Sequence, residues 1–124
     1  MNPPSPGRVL LVDDNPDVRD SAAAFLRASR LEVETAVDGL DAIEKLERGF
    51  RPDVIVLDIV MPRIDAFAFR RWQLADARFA RTPVVVLSGE YTPSRAERLI
   101  GLSLLPKPTN PDLLLQTVQR YVHR

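Results

Sequence analysis

Residues 54–66 read Val54-Ile55-Val56-Leu57-Asp58-Ile59-Val60-Met61-Pro62-Arg63-Ile64-Asp65-Ala66, an apolar run with a carboxylate set in its middle. The unalternated Val, Ile and Leu of its first half predict a strand buried on both faces, as in the interior of a parallel sheet. Burying a charge alone is costly, so Asp58, at the end of that strand, requires a partner.

The same grammar repeats on either side. Residues 8–12 (RVLLV) form a short apolar strand that stops at Asp13-Asp14-Asn15-Pro16, a helix start with Asn15 or Asp14 as N-cap and Pro16 in the first turn. Val18, Ala22, Phe25, Leu26 and Ser29 then recur at helical spacing. Residues 31–36 alternate Leu31, Val33 and Thr35 with Glu32 and Glu34, a strand exposed on one face at the edge of a sheet. Leu40, Ala42, Ile43 and Leu46 define a second amphipathic helix, closed by Gly49 in the left-handed conformation.

After Asp65 a helix carries Phe67, Phe69, Trp72 and Leu74 around Arg70 and Arg71. Trp72 and Phe69 read as core or partly buried aromatics rather than as a partner patch. Residues 83–87 are the fourth strand, ending in Ser88-Gly89-Glu90, and a short helix over 94–100 precedes a fifth strand at 102–105. Asn110-Pro111 opens the last helix, with Leu114, Leu115, Val118, Tyr121 and Val122 as its apolar side, and His123 falls in the fraying end. Five strand–helix alternations predict one α/β domain over 8–124, a doubly wound parallel sheet with helices on both faces, preceded by a Pro-rich, disordered segment at 1–7.

Bulk properties bound the function. The 124 residues suit one domain, and 17 basic against 17 acidic residues give no general attraction to nucleic acid or to anionic membranes. Cysteine is absent, which excludes disulfides and thiolate metal sites and suits a cytoplasmic protein. The N-terminus lacks the pattern of a signal peptide, and no apolar run reaches the roughly 18 residues of a membrane span.

The polar residues that follow the strands carry the chemistry. Asp13 and Asp14 end the first strand, Asp58 the third and Ser88 the fourth, and Lys107 follows the fifth. In open α/β sheets the carboxyl ends of the strands form the binding edge, so all five converge there. Singly, the Asp pair could be helix capping, Ser88 a turn residue and Lys107 an exposed lysine. Jointly they are a site, because carboxylates roughly 5 Å apart repel by about 3 kcal/mol per pair at an effective dielectric near 20. Oxygen ligands without His or Cys point to a hard cation, Mg²⁺ or Mn²⁺, with Lys107 as a second positive charge and Ser88 as a hydroxyl donor. Asp58 is then a candidate nucleophile able to carry a phosphoryl group.

LLVDDNPDVR (10–19), VIVLDIVMPRIDA (54–66), VVVLSGE (84–90) and LLPKP (104–108) together resemble the receiver domain of two-component response regulators over nearly the whole chain. The resemblance implies a flavodoxin-like three-layer sandwich with strand order 2-1-3-4-5. It implies phosphoryl transfer from a phosphohistidine of a histidine kinase or phosphotransfer protein to Asp58, and a response felt by a downstream protein partner or an attached output domain. It further implies Asp13, Asp14, Asp58 and the backbone carbonyl of Val60 as metal ligands, Ser88 as the switch hydroxyl and Lys107 as the phosphoryl-contacting lysine. Such a domain is no enzyme beyond its own phosphorylation and dephosphorylation, and it neither binds nucleic acid directly nor inserts into membranes.

Departures from the pattern are Ala66 where the family usually has Gly, Leu104 in place of an aromatic, and a shortened segment before Lys107. They raise the alternative of a constitutive interaction module whose switch is lost, and an apolar Val60 implies slow hydrolysis. A small-molecule phosphohydrolase would want an acid two residues after Asp58, where Val60 stands. A nucleotide or flavin binder would want a Gly-rich loop where Asp13-Asp14 stands.

Overall fold

β1 (Arg8–Val12) and β3 (Val54–Asp58) pair in parallel at the heart of the sheet, Val9 opposite Val54 and Val12 opposite Leu57. This is a computed structural model that describes residues 6–58, 66–88, 103–107 and 109–122, with backbone only at positions 88 and 103. β2 (Glu32–Ala36) lies outside β1, and β4 (Val84–Ser88) and β5 (Ser103–Pro106) extend the other side, giving the order β2-β1-β3-β4-β5 with every pairing parallel. The edge strand inferred from the Glu32 and Glu34 alternation is β2, and Arg8 pairs with Glu32 there at 3.1 Å.

The two-residue period of the strands divides the core in two. Leu10, Val12, Ile55, Leu57, Val84 and Val86 face a layer formed by α2 (Gly39–Glu47) and α3 (Ala66–Ala75). Val9, Leu11, Val54, Val56, Val85 and Leu87 face the opposite layer, formed by α1 (Pro16–Ala28) and α4 (Pro111–Val122). All twelve are at most 3% exposed, which is why β1, β3 and β4 lack polar alternation.

Local signals place the helices. Asn15, not Asp14, caps α1, its side-chain oxygen accepting from the N–H groups of Asp17 at 3.0 Å and Val18 at 3.1 Å. Asp38 caps α2 through the N–H of Asp41, and Gly49 beyond its end takes the expected positive φ of 114°. Asn110 caps α4 by accepting from Asp112. At the other end of the chain, the carbonyl of Gly7 accepts from the N–H of Glu32, and Gly7 packs against Val122.

The structure identifies the buried face of α3, which the irregular sequence pattern leaves open. Leu74 is 52% exposed, and Gln73 is buried because its amide satisfies two carbonyls of the turn into β4. Trp72 is packed between Phe69 and Phe79, with ring centroids at 6.1 and 5.7 Å, so it belongs to the core margin. Ala66 opens α3 fully buried, without the positive φ that would have required Gly, and Leu104 packs partly buried against the α2–α3 side of the core. The short helix expected over 94–100, the segment 1–5 and His123 lie outside the described residues.

Candidate functional site

The strand register delivers the acidic residues to one place. Val12 pairs with both Ala36 and Leu57, so the next residues of β1 and β3, Asp13 and Asp58, emerge side by side at the carboxyl edge. Asp13 is 1% exposed and Asp58 3%, while Asp14 turns outward to solvent. Asp13 is held from two sides: its N–H donates to the carbonyl of Ala36 at 3.1 Å, and its Oδ1 accepts from the N–H of Asn15 at 2.9 Å. A sequence reading sees Asn15 only as a helix cap, yet its backbone also aims the Asp13 carboxylate.

Lys107, directly after β5, reaches across β4 into the cluster. Its Nζ donates to Asp58 Oδ2 at 2.9 Å and lies 3.7 Å from Asp13 Oδ2. Burial pulls the pKa of Lys107 down, but the hydrogen bond and charge of Asp58, with the charges of Asp13 and Asp14, outweigh it and raise it above the ordinary lysine value. The lysine is therefore a fixed cation at neutral pH.

Among the described residues, Lys107 alone does not balance this site. Asp13, Asp14 and Asp58 each present a carboxylate oxygen within 4.8 Å of the others. At that spacing each pair repels by about 3 kcal/mol at an effective dielectric near 20. Asp13 Oδ2 is buried and makes no hydrogen bond among the described residues. An all-carboxylate set with a stranded oxygen fits a hard, oxygen-seeking divalent cation.

Four of the sequence-predicted residues, Asp13, Asp14, Asp58 and Lys107, are thus brought together. Ser88 ends β4 opposite Pro106, one residue beyond the Leu87 that pairs with Asp58, and its side chain is outside the described residues, as is the whole of Val60. A cleft of about 610 Å³ opens beside the site between α1 and α4, lined by Asp13, Asn15, Val18, Phe25, Lys107 and Leu114 among others. Nothing in the hydrophobic periodicity announces it, although small Ser21 and Ala22 on α1 leave the room.

Comparison with known proteins agrees with this geometry. The family model described as response regulator receiver domain matches residues 9–119. A protein-glutamate methylesterase/protein-glutamine glutaminase of Anaeromyxobacter dehalogenans is 48% identical over 95 residues, covering 77% of this chain and 26% of its own. The chain spans about half the length of several further curated relatives and 87% of another. The chemotaxis response regulator CheY4 of Vibrio cholerae superposes with a TM-score of 0.85 at 34% identity, over 94% of this chain and 98% of that one. The receiver domain of sensor histidine kinase PA1611 of Pseudomonas aeruginosa, solved with a magnesium ion coordinated in its active site cleft, superposes with a TM-score of 0.86 at 27% identity, over 96% and 99%. Among the described residues no helix is long and apolar enough to cross a membrane. By its motifs, its strand order and these relatives, the chain belongs to the receiver domains of two-component response regulators.

Proposed function

We propose that Asp58 is the phosphoacceptor, and that Asp13, Asp14, Asp58 and the backbone carbonyl of Val60 hold Mg²⁺ (or Mn²⁺). Lys107 and the hydroxyl of Ser88 would serve the phosphoryl group. The observation that carries this reading is the Lys107 ammonium, 2.9 Å from Asp58 Oδ2 and 3.7 Å from Asp13 Oδ2, which ties the nucleophile and the acidic pair to one charge.

In the transfer an oxygen of Asp58 bonds to phosphorus while the P–N bond of a donor phosphohistidine breaks, and the electron pair departs with the imidazole. The bound cation supplies neutralisation of the phosphoryl oxygens. Burial at the end of β3 holds the Asp58 carboxylate in one place, so little reorganisation is needed at the moment of reaction. Lys107, kept cationic by its acidic neighbours, stabilises charge on the transferring group. The donor is a histidine kinase or phosphotransfer protein in the cytoplasm, and the recipient of the signal is a protein partner or an attached output domain. The chain catalyses only its own phosphorylation and dephosphorylation.

Incubation with Mg²⁺ and a small-molecule phosphodonor tests this directly. Intact mass is expected to rise by one phosphoryl group in the wild-type chain and to stay unchanged in Asp58→Asn. An adduct that persists in Asp58→Asn, or none in the wild-type chain beside an active control receiver, defeats the assignment.

A further inference from the structure

Asp13 has four polar groups, and three of them are hydrogen-bonded within the protein. Its N–H donates to Ala36, its Oδ1 accepts from Asn15, and its backbone carbonyl accepts from Arg19 Nη1 at 3.1 Å. Oδ2 makes no hydrogen bond among the described residues and faces the Lys107 ammonium at 3.7 Å, which leaves it open to a further cation. The carbonyl of Asp13 precedes the helix cap and so gains no donor from the ladder of α1, and among the described residues its donor is the Arg19 side chain, which restrains this peptide plane.

Arg19 does not behave as a solvated surface arginine. Its side chain is 14% exposed although it stands one turn into α1, and it folds back toward the turn rather than out to water. Its Nε lies 3.6 Å from the carboxylate of Asp20, itself 72% exposed and a weak partner by comparison. The enclosed contact is the one to Asp13.

We propose that Arg19 is a positioning residue for the metal centre: by clamping the Asp13 carbonyl it fixes the β1–α1 turn so that the Asp13 and Asp14 carboxylates stay within cation distance of Asp58. This rests on the divalent-cation reading given above. Two effects of Arg19 on cation affinity oppose each other, which makes the role decidable. A guanidinium bonded to the main chain of Asp13 repels an incoming cation, so if charge were its only effect, removing it would tighten binding. As a clamp, its removal lets the turn move and loosens binding, and groups that orient metal ligands are worth about tenfold in affinity at the low end.

Mg²⁺ titration by calorimetry of the wild-type chain, Arg19→Met and Arg19→Lys, with urea unfolding of each, decides between them. Arg19→Met, which keeps the length and loses both donors and charge, is expected to bind Mg²⁺ about tenfold more weakly while still unfolding cooperatively. Arg19→Lys, which keeps one donor and the charge, recovers at least half of that loss on a logarithmic scale. Unchanged or tighter Mg²⁺ binding in Arg19→Met overturns the clamp, and so does a loss that Lys fails to relieve. A wild-type chain that binds no Mg²⁺ instead overturns the cation site itself, and the clamp with it. Should Arg19→Met fail to fold, Arg19→Leu, which likewise loses both donors and charge, replaces it under the same criteria.

Discussion

Gln73 and Asp13 are buried to the same degree, 0% and 1% exposed, at opposite edges of the sheet, and they are treated differently. Gln73 donates twice, to the carbonyl of Phe79 at 2.8 Å and of Thr82 at 2.9 Å, and its Oε1 accepts from Arg70 at 2.9 Å. Asp13 keeps one carboxylate oxygen without a hydrogen bond among the described residues, beside other carboxylates. A buried polar group that is saturated stabilises a fold, and one held in place yet left open is available for chemistry. Arg70 Nε is also buried without a hydrogen bond among the described residues, but that guanidinium is engaged through Nη1, and burial lowers its pKa.

The sharpest break of this comparison is Gln73→Leu. Two carbonyls in the turn into β4 lose their donor, and at about 1–3 kcal/mol for each unsatisfied group the domain should lose roughly 3 kcal/mol of stability. Urea denaturation measures that loss. Mg²⁺ affinity should not follow it, since the residue lies at the opposite edge of the sheet. The mirror experiment is Asp13→Asn, which should weaken Mg²⁺ binding by at least about tenfold, given the tenfold or more expected even for groups that merely orient a ligand. Stability should hold or rise by about 1 kcal/mol, because a like-charge neighbour of Asp58 has gone. A large loss of stability in Asp13→Asn would put Asp13 in the class of Gln73.

Lys107→Met probes the charge that joins the two carboxylates, and its effect depends on pH. Burial lowers the pKa of Lys107, and the hydrogen bond and charges of Asp58, Asp13 and Asp14 more than reverse this, so the folded value lies above the reference of 10.5. A group raised on folding gives its full stabilisation below the unfolded value and loses it as pH climbs through the folded one. The partly exposed pair is worth about 1 kcal/mol after screening. Wild type and Lys107→Met should therefore differ by a constant amount from pH 7 to 9, and the two stabilities should converge above about 10.5. A difference that shrinks already between pH 7 and 9 would contradict the raised pKa.

The carboxyl edge was more legible in the sequence than the amino edge, for a physical reason. Strand length and the two-residue period determine where β1 and β3 end, so Asp13 and Asp58 fall together once the strands are found. The order of strands came from the family resemblance rather than from periodicity. Gln73 was invisible because the acceptors of its amide are backbone carbonyls, which leave no mark on side-chain pattern, and the irregular spacing of Phe67, Phe69, Trp72 and Leu74 does not single out the buried face of α3. The same holds for Arg19 and the N–H of Asn15, whose bonds to Asp13 pass between a side chain and the main chain.

The amino edge also carries backbone strain unconnected with chemistry. Arg30, just past α1, has φ 67°, the only positive φ of a described non-glycine residue, whereas the end of α2 uses Gly49 at φ 114°. Three hydrogen bonds, from Ser29 and Leu31 to Leu26 and from Arg30 to Arg27, fix that turn, so the conformation is imposed by the helix end. Arg30→Gly should relieve the left-handed penalty of about 1–2 kcal/mol, offset by the greater freedom of an unfolded glycine, for a net gain of about 0.5 kcal/mol. Gly49→Ala is the complement: a Cβ there meets no atom within 4 Å, so any loss reports the backbone alone. Paired urea midpoints that move in opposite directions, with Mg²⁺ affinity constant in both, would separate strain at this edge from function at the other.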